Sequence, residues 1–190
     1  MLTKSLKIFL SMLIVFSLVL ISACGGKDEE GKSAAEAPAA ETAGLVIGAE
    51  VGNLAPDFHL ENIAGGQLQL SSLKGKAVII DFWDTWCPPC REALPSLEAV
   101  SKKYADDLVV VGVAFNREGI EKVRQYVSSN NLTFPMVVAD KEYKVAKDFG
   151  GVQSIPTTFV LDRNGVITDV WVGGHSQAEY EAGVKKALGM

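Results

Sequence analysis

Residues 78–91, VIIDFWDTWCPPCR, contain the information that decides the fold. Val78 to Trp83 is a mostly apolar run rich in β-branched and aromatic side chains, which is typical of a central strand buried on both faces. Cys87 and Cys90 follow, and Pro88 between them suits the first turn of a helix, where its missing N–H costs little. The stretch therefore predicts a buried strand that leads directly into a helix with two cysteines at its N-terminus.

Strand and helix patterns alternate on both sides of this stretch. Apolar residues at helical spacing follow the cysteines, and a second apolar run extends from Leu108 to Phe115. Together they predict a β-α-β unit with a right-handed crossover. The other predicted elements are a hairpin at 57–70, a helix at 120–127, a short strand at 134–138, a helix capped by Asp140, and strands at 157–162 and 166–172. The predicted fold class is α/β, a central mixed sheet with helices on both sides.

Two local signals lie in the C-terminal part of the chain. Asn164-Gly165 stands between two strand patterns and predicts a two-residue type I′ turn. Ser176 and Glu179 have the spacing of a capping box and predict the start of the last helix. His175 is interpreted as a loop residue before this cap.

The position of the cysteines at a helix start predicts their reactivity. Unpaired backbone amides and the positive end of the helix dipole stabilise a thiolate over a thiol, so such a cysteine has a pKa of about 3.5 to 7.5 instead of about 8.5. Cys87 is therefore the predicted nucleophile, with a sulfur that must be reachable from solvent. Cys90, one turn inside the helix and more shielded, is the predicted resolving thiol.

A pair of cysteines at this spacing has two other interpretations. Zinc would need two further ligands, and His59 and His175 are the only histidines, with no second cysteine pair. A structural disulfide usually closes a longer loop, where it constrains the unfolded chain more. We therefore expect a redox-active pair with no metal and no cofactor, since the disulfide itself carries the electrons.

The N-terminus has the pattern of an export signal. Lys4 and Lys7 flank the start of an apolar run from Ile8 to Ile21 that is interrupted only by serines. A spanning helix needs about 20 apolar residues, so this run is too short to be one. We interpret residues 1–23 as a signal peptide.

The end of this signal, Ile21-Ser22-Ala23-Cys24, resembles the lipobox of bacterial lipoproteins. That resemblance implies a lipid on Cys24; ordinary cleavage near Ala23, with Cys24 left free, is the alternative. Residues 24–50 are rich in Gly, Ala, Glu, Lys and Ser and are predicted to form a flexible tether. Residues 51–190 are predicted to form one folded domain.

Composition excludes some classes of function. The chain is 48% hydrophobic and 22% charged, as expected of a globular protein. Its formal net charge of -5 provides no positive field for phosphates, so nucleic acid is not an expected partner.

Several motifs together resemble the TlpA/ResA group of membrane-tethered, thioredoxin-like thiol-disulfide oxidoreductases. The motifs are Pro56-Asp57-Phe58, Gly75-Lys76, Asp81-Phe82-Trp83, Trp86-Cys87-Pro88-Pro89-Cys90-Arg91 and Ile155-Pro156-Thr157-Thr158-Phe159. The resemblance covers residues 51–190 and implies a thioredoxin fold with an extra N-terminal hairpin and a β-α insertion at 134–149. It also implies a cis bond between Ile155 and Pro156 that packs against the dithiol.

The same resemblance implies the substrate-binding residues. The backbone of Ile155 would pair with an extended substrate peptide as an added strand. Trp86 would shield the reactive sulfur. The implied binding set is Trp86, Pro88, Pro89, Ile155 and Pro156.

Two acidic residues depart from the group's pattern. Many members carry asparagine where this chain has Asp81, and we hypothesise that a desolvated Asp81 has a raised pKa and relays the proton of Cys90 through water. A satisfied carboxylate at the strand end is the alternative. Asp84 stands where a small residue is common; it would oppose a thiolate at Cys87 if close, but we expect it to be exposed.

The predicted function is that of a protein-disulfide reductase acting on exported proteins, with cytochrome c maturation as one setting. Pro88 weakens that setting, because ResA-like reductases often have glutamate there. The predicted location is outside the cytoplasm, lipid-anchored to a bacterial membrane, with a membrane-embedded electron donor. A peroxiredoxin-like peroxidase and a Sco-like copper carrier with His175 as ligand are the alternatives.

Overall fold

The computed structural model describes residues 44–190. The predicted signal peptide (1–23), the predicted lipidation site Cys24 and most of the predicted tether (24–50) lie outside the described residues. The strands are β1 (His59–Glu61), β2 (Gln67–Gln69), β3 (Ala77–Trp83), β4 (Leu108–Ala114), β5 (Met136–Val138), β6 (Thr157–Leu161) and β7 (Ile167–Val172). The helices are α1 (Pro88–Lys103), α2 (Ile120–Ser129), α3 (Lys144–Asp148) and α4 (Gln177–Leu188), and Leu70–Leu73 forms a 3₁₀ turn.

The central sheet is mixed, as the sequence predicts. Its strand order is β5-β4-β3-β6-β7, with β1 and β2 forming a separate two-stranded hairpin. Strands β3, β4 and β5 are parallel, whereas β6 runs antiparallel to β3 and β7 antiparallel to β6. The register places Asp81 beside Thr158 and Thr158 beside Trp171, so these three residues form a row across β3, β6 and β7.

Strand β3 lies at the centre of the sheet because its sequence is apolar on both faces. All seven of its residues are buried. On one face its side chains pack with α1, α2 and α4, and on the other with α3 and the N-terminal hairpin. The predicted placement of helices on both sides of the sheet is confirmed. Asp81 is the polar exception within the strand.

The turn between β6 and β7 is not the predicted type I′ turn. That type requires positive φ at both central residues, but Asn164 is not among the non-glycine residues with positive φ. Asp162 explains the difference, because its Oδ1 accepts hydrogen bonds from the backbone N–H of Asn164 and of Val166, both at 2.9 Å. Gly165, with φ of 86°, provides the left-handed residue that completes a three-residue connection.

Helix α4 starts where the sequence predicts, and helix α3 starts a few residues later than predicted. The Ser176–Glu179 capping box at α4 is confirmed, with both reciprocal hydrogen bonds present. Helix α3 starts later than expected, at Lys144, and Asp140 caps it from a distance by accepting from the N–H of Lys144 at 2.6 Å and of Val145 at 3.0 Å. Among residues 44–190 we find no helix with both the length and the apolar character needed to cross a bilayer.

Candidate active site at the Cys87–Cys90 pair

Cys87 and Cys90 are joined in a disulfide at the start of α1. Cys87 is the N-cap residue, and its Sγ accepts a hydrogen bond from the N–H of Cys90 at 3.2 Å. Pro88 occupies the first helical turn, where no amide partner is needed. The buried end of β3 fixes the position of this turn, so the sheet holds the sulfur pair in place.

The disulfide is less open than the sequence led us to expect. Cys87 is only 2% exposed and Cys90 is fully buried. The carbonyl oxygen of Ile155 lies 3.6 Å from the Cys87 sulfur. The expectation of an open sulfur at Cys87 is therefore wrong for the disulfide form, although Cys90 is the more shielded of the two, as predicted.

The loop that approaches Cys87 contains the predicted cis bond between Ile155 and Pro156, which is confirmed. The carbonyl of Pro156 accepts from the N–H of Gly173 at 2.8 Å, which ties the loop to the end of β7. Within the described part of the chain, the N–H and carbonyl of Ile155 make no backbone hydrogen bond. They are therefore free to pair with an extended peptide.

Apolar and largely exposed residues surround the sulfur pair. Trp86 is 44% exposed, and Pro88 and Pro89 are exposed. The guanidinium of Arg117 lies over the Trp86 ring, 5.2 Å from its centroid. This arrangement offers an apolar surface to a protein segment that carries a disulfide.

Asp81 lies within the sheet with no exposed surface. The hydroxyl of Thr158 donates to its Oδ1 at 2.7 Å, while its Oδ2 has no hydrogen-bond partner. Burial raises the pKa of Asp81 to about 7, against the lowering effect of the Thr158 hydrogen bond. The predicted rise in its pKa is thus confirmed, and such a group can exchange a proton near neutral pH.

Asp84 is buried, which corrects the expectation that it is exposed. Its Oδ1 accepts from the N–H of Thr85 at 2.7 Å, and its Oδ2 accepts from the N–H of Arg117 at 3.2 Å. The Thr85 hydroxyl donates to Glu118 at 2.7 Å. Asp84 therefore fastens the segment before Cys87 to the loop after β4, a contact that local sequence gives no means of finding.

The two histidines lie apart from any metal-like cluster. In the region from residue 44 onward, no group of three or more His, Cys, Asp or Glu residues is placed to hold a metal ion. His59 is in β1, and His175 has its Nδ1 3.5 Å from Glu179 Oε1.

This chain is similar to a known protein family, to characterised bacterial proteins and to solved structures. Residues 51–170 match the AhpC/TSA family. The thioredoxin-like protein YneN of Bacillus subtilis is 42% identical over 71% of this chain and 79% of that protein. The thiol-disulfide oxidoreductase ResA of Bacillus thuringiensis is 31% identical over 72% of this chain and 78% of that protein. A thioredoxin-family thiol:disulfide interchange protein of Chlorobium tepidum superposes with a TM-score of 0.64 at 36% identity, covering 70% of this chain and 94% of that one.

Proposed function

Because the chain belongs to the AhpC/TSA family and has thiol-disulfide oxidoreductases as relatives, we propose that it reduces disulfide bonds in exported proteins. Its class is that of a protein thiol-disulfide oxidoreductase with a thioredoxin fold. The single observation that carries the proposal is the Cys87–Cys90 disulfide at the N-terminus of α1, beside the cis-proline loop.

The reaction follows from the two sulfurs. The Cys87 thiolate attacks one sulfur of the substrate disulfide, and the other substrate sulfur leaves as a thiolate. Cys90 then loses its proton and attacks the Cys87 sulfur, which forms the internal disulfide and releases the second substrate thiol. Two electrons pass to the substrate, and a dithiol donor must return two electrons to the protein.

Asp81 is the group that supports the second step in this proposal. It accepts the proton of Cys90 through water, because a carboxylate with a pKa raised to about 7 by burial is partly ionised at neutral pH. The N–H of Cys90, which already points at the Cys87 sulfur, stabilises the thiolate of the first step.

Substrate binding uses the surface around the disulfide. The free backbone groups of Ile155 pair with the substrate chain as an added strand. Trp86, Pro88 and Pro89 are exposed and provide apolar contact, whereas Pro156 is buried and helps to hold the Ile155 loop in place. Since Cys87 is only 2% exposed in the disulfide form, the dithiol form must present more of its sulfur to the substrate.

Location completes the proposal. A lipid on Cys24 anchors the chain to the outer side of a bacterial membrane, and residues 24–50 tether the domain there. The electron donor is then a membrane-embedded dithiol protein, because soluble reductants are scarce in that compartment. Labelled fatty acid fed to the native host is expected to enter the parent protein and not the Cys24→Ser variant; equal labelling of both would exclude Cys24 as the anchor.

The experiment that tests the reductase activity is substrate trapping. A Cys90→Ala variant in the native host is expected to accumulate a mixed disulfide through Cys87, visible after non-reducing electrophoresis and identified by mass spectrometry. The matched Cys87→Ala variant is expected to trap none. Apocytochrome c among the trapped proteins assigns the substrate; equal trapping by the two variants would contradict the roles given to the sulfurs.

A further inference from the structure

The loop after β4 lies on the opposite side of the sulfur pair from Ile155. Strand β3, which leads to Cys87, has β4 on one side and β6 on the other. The carbonyl of Ile155, just before β6, is 3.6 Å from the Cys87 sulfur. The guanidinium of Arg117, in the loop after β4, lies 5.2 Å from the centroid of the Trp86 ring. A peptide that pairs with Ile155 and brings its sulfur to Cys87 therefore has Arg117 on its other side.

Contacts at consecutive positions fix this loop to the segment before the disulfide. The buried carboxylate of Asp84 accepts from the N–H of Arg117 at 3.2 Å. The hydroxyl of Thr85 donates to Glu118 at 2.7 Å, and the Arg117 guanidinium covers the Trp86 ring. These contacts hold the guanidinium beside the reactive sulfur, so less conformational entropy is lost when it meets a ligand.

The positive charge of Arg117 has no counter-charge in contact with it. Its side chain is exposed, and the arginines that form ion pairs within residues 44–190 are Arg124 and Arg163. The next residue along the chain, Glu118, bonds to Thr85 instead. An arginine stays charged at physiological pH, and its planar fork of N–H donors matches a carboxylate. Arg117 is thus free to bind a carboxylate from outside the chain.

Arg91 adds a second cation at the start of α1. It directly follows Cys90, is exposed, and forms no ion pair with any residue that the structure describes. Glu92 is also exposed, but it lies about 100° further around the helix. The whole chain has a formal net charge of -5, so two arginines without counter-charges beside the disulfide reverse its sign locally. Such a field favours an acidic ligand.

We propose that Arg117 selects substrates that carry a carboxylate side chain next to the disulfide. This inference rests on the proposed function and deepens it, because it names a substrate class for the same site. Trp86 directly precedes Cys87, so a side chain one or two positions from the attacked cysteine reaches the guanidinium while the substrate backbone pairs with Ile155. The ion pair orients the substrate and takes no part in the transfer of electrons.

The test measures attack on synthetic peptides that differ only in charge. Each peptide has one cysteine joined by a disulfide to pyridinethiol, and both residues flanking the cysteine are glutamate, glutamine or lysine. Attack by Cys87 on the peptide sulfur releases pyridinethione, a neutral chromophore, and Cys90 then releases the peptide thiol. The protein is the reduced full-length chain with Cys24→Ser. The same peptides with dithiothreitol give their intrinsic reactivities.

We expect the parent to react about threefold faster with the glutamate peptide than with the glutamine peptide at low salt, relative to dithiothreitol, as is typical of an exposed ion pair. In about 1 M salt this preference should disappear, because the screening length is then roughly 3 Å. Arg117→Gln is expected to lose the preference. Arg117→Glu is expected to prefer the lysine peptide, a reversal that an unfolded variant could not show.

The matched control is Arg163→Gln, which removes the same charge at the other end of the sheet. Arg163 follows β6, and its carbonyl accepts from the N–H of Gly75, just before β3, whereas Cys87 follows the end of β3. This variant is expected to keep the preference of the parent for the glutamate peptide.

The outcomes separate this inference from the proposed function. An equal preference in the parent and in Arg117→Gln would show that Arg117 is not the determinant. A parent with no preference beyond that of dithiothreitol would overturn the acidic substrate class, and the thiol exchange would stand in both cases. Release by Cys87→Ala as fast as by the parent would overturn the exchange itself, and the inference with it.

Discussion

At the scale of the residue, Asp81 holds the most unusual carboxyl group of the described chain. It is fully buried in the central strand with one hydrogen bond, from Thr158. Burial alone outweighs that bond and raises the pKa of Asp81 from 3.8 to about 7. The same desolvation that suits Asp81 to proton exchange also makes its ionisation destabilising.

Because ionised Asp81 is destabilising, we predict that Asp81→Asn raises the free energy of unfolding, and that the increase depends on pH. Because the folded-state pKa is raised, the favourable contribution of protonated Asp81 is fully present below 3.8 and is lost as pH rises toward about 7. At about 1.4 kcal/mol per pH unit, the stability lost through ionisation of Asp81 reaches roughly 4 kcal/mol above neutrality. In urea unfolding of the oxidised protein, the free energy of unfolding of Asp81→Asn should therefore increase relative to that of the parent between pH 4 and pH 8. A difference that stays constant over this range would contradict the raised pKa.

Asp84 leads to a second prediction at this scale. Asp84→Ala removes the buried carboxylate that accepts from the N–H groups of Thr85 and Arg117, and a hydrogen bond to a charged group contributes about 1.5–3 kcal/mol. We expect a loss of at least about 1 kcal/mol in the free energy of unfolding, with faster amide exchange at Arg117. The control is Asp106→Ala, at an exposed carboxylate, with an expected change within about 0.5 kcal/mol. Equal losses in the two variants would refute the fastening role.

At the scale of the element, local sequence patterns predict most of the structure. The hairpin, β3, α1 and the capping box of α4 follow from patterns within a few residues of each other. The turn between β6 and β7 shows where such patterns fail. Asn-Gly favours a type I′ turn, but the Asp162 side chain makes two hydrogen bonds into the loop and selects another conformation.

Two substitutions test this turn. Gly165→Ala places a Cβ at φ of 86° and is expected to cost about 1 kcal/mol in thermal or urea unfolding. Asn164→Ala is expected to change stability by less than about 0.5 kcal/mol, because this residue has no positive φ. A type I′ turn would make both substitutions costly, so a large loss in Asn164→Ala would contradict the observed turn.

At the scale of the whole molecule, the site depends on contacts between distant parts of the chain. Cys87, Cys90, Asp81 and the cis-proline motif are visible in the sequence. The carbonyl that approaches the Cys87 sulfur is that of Ile155, which lies far along the chain. Asp84 is bonded to the N–H of Arg117, in the loop after β4. Such pairings arise only when β3, β4 and β6 assemble, so the burial of Cys87 and Asp84 could not be predicted from local patterns.

The central claim is that Cys87 in the dithiol form is a reachable thiolate and Cys90 is not. Alkylation by iodoacetamide against pH tests it most directly, in reduced chains with Cys24→Ser combined with either Cys90→Ala or Cys87→Ala. We expect Cys87 to react with a midpoint at or below about pH 7.5, against about 8.5 for a free cysteine, and Cys90 to react only after unfolding. A Cys87 that reacts only in denaturant, or with the midpoint of a free cysteine, would contradict the account.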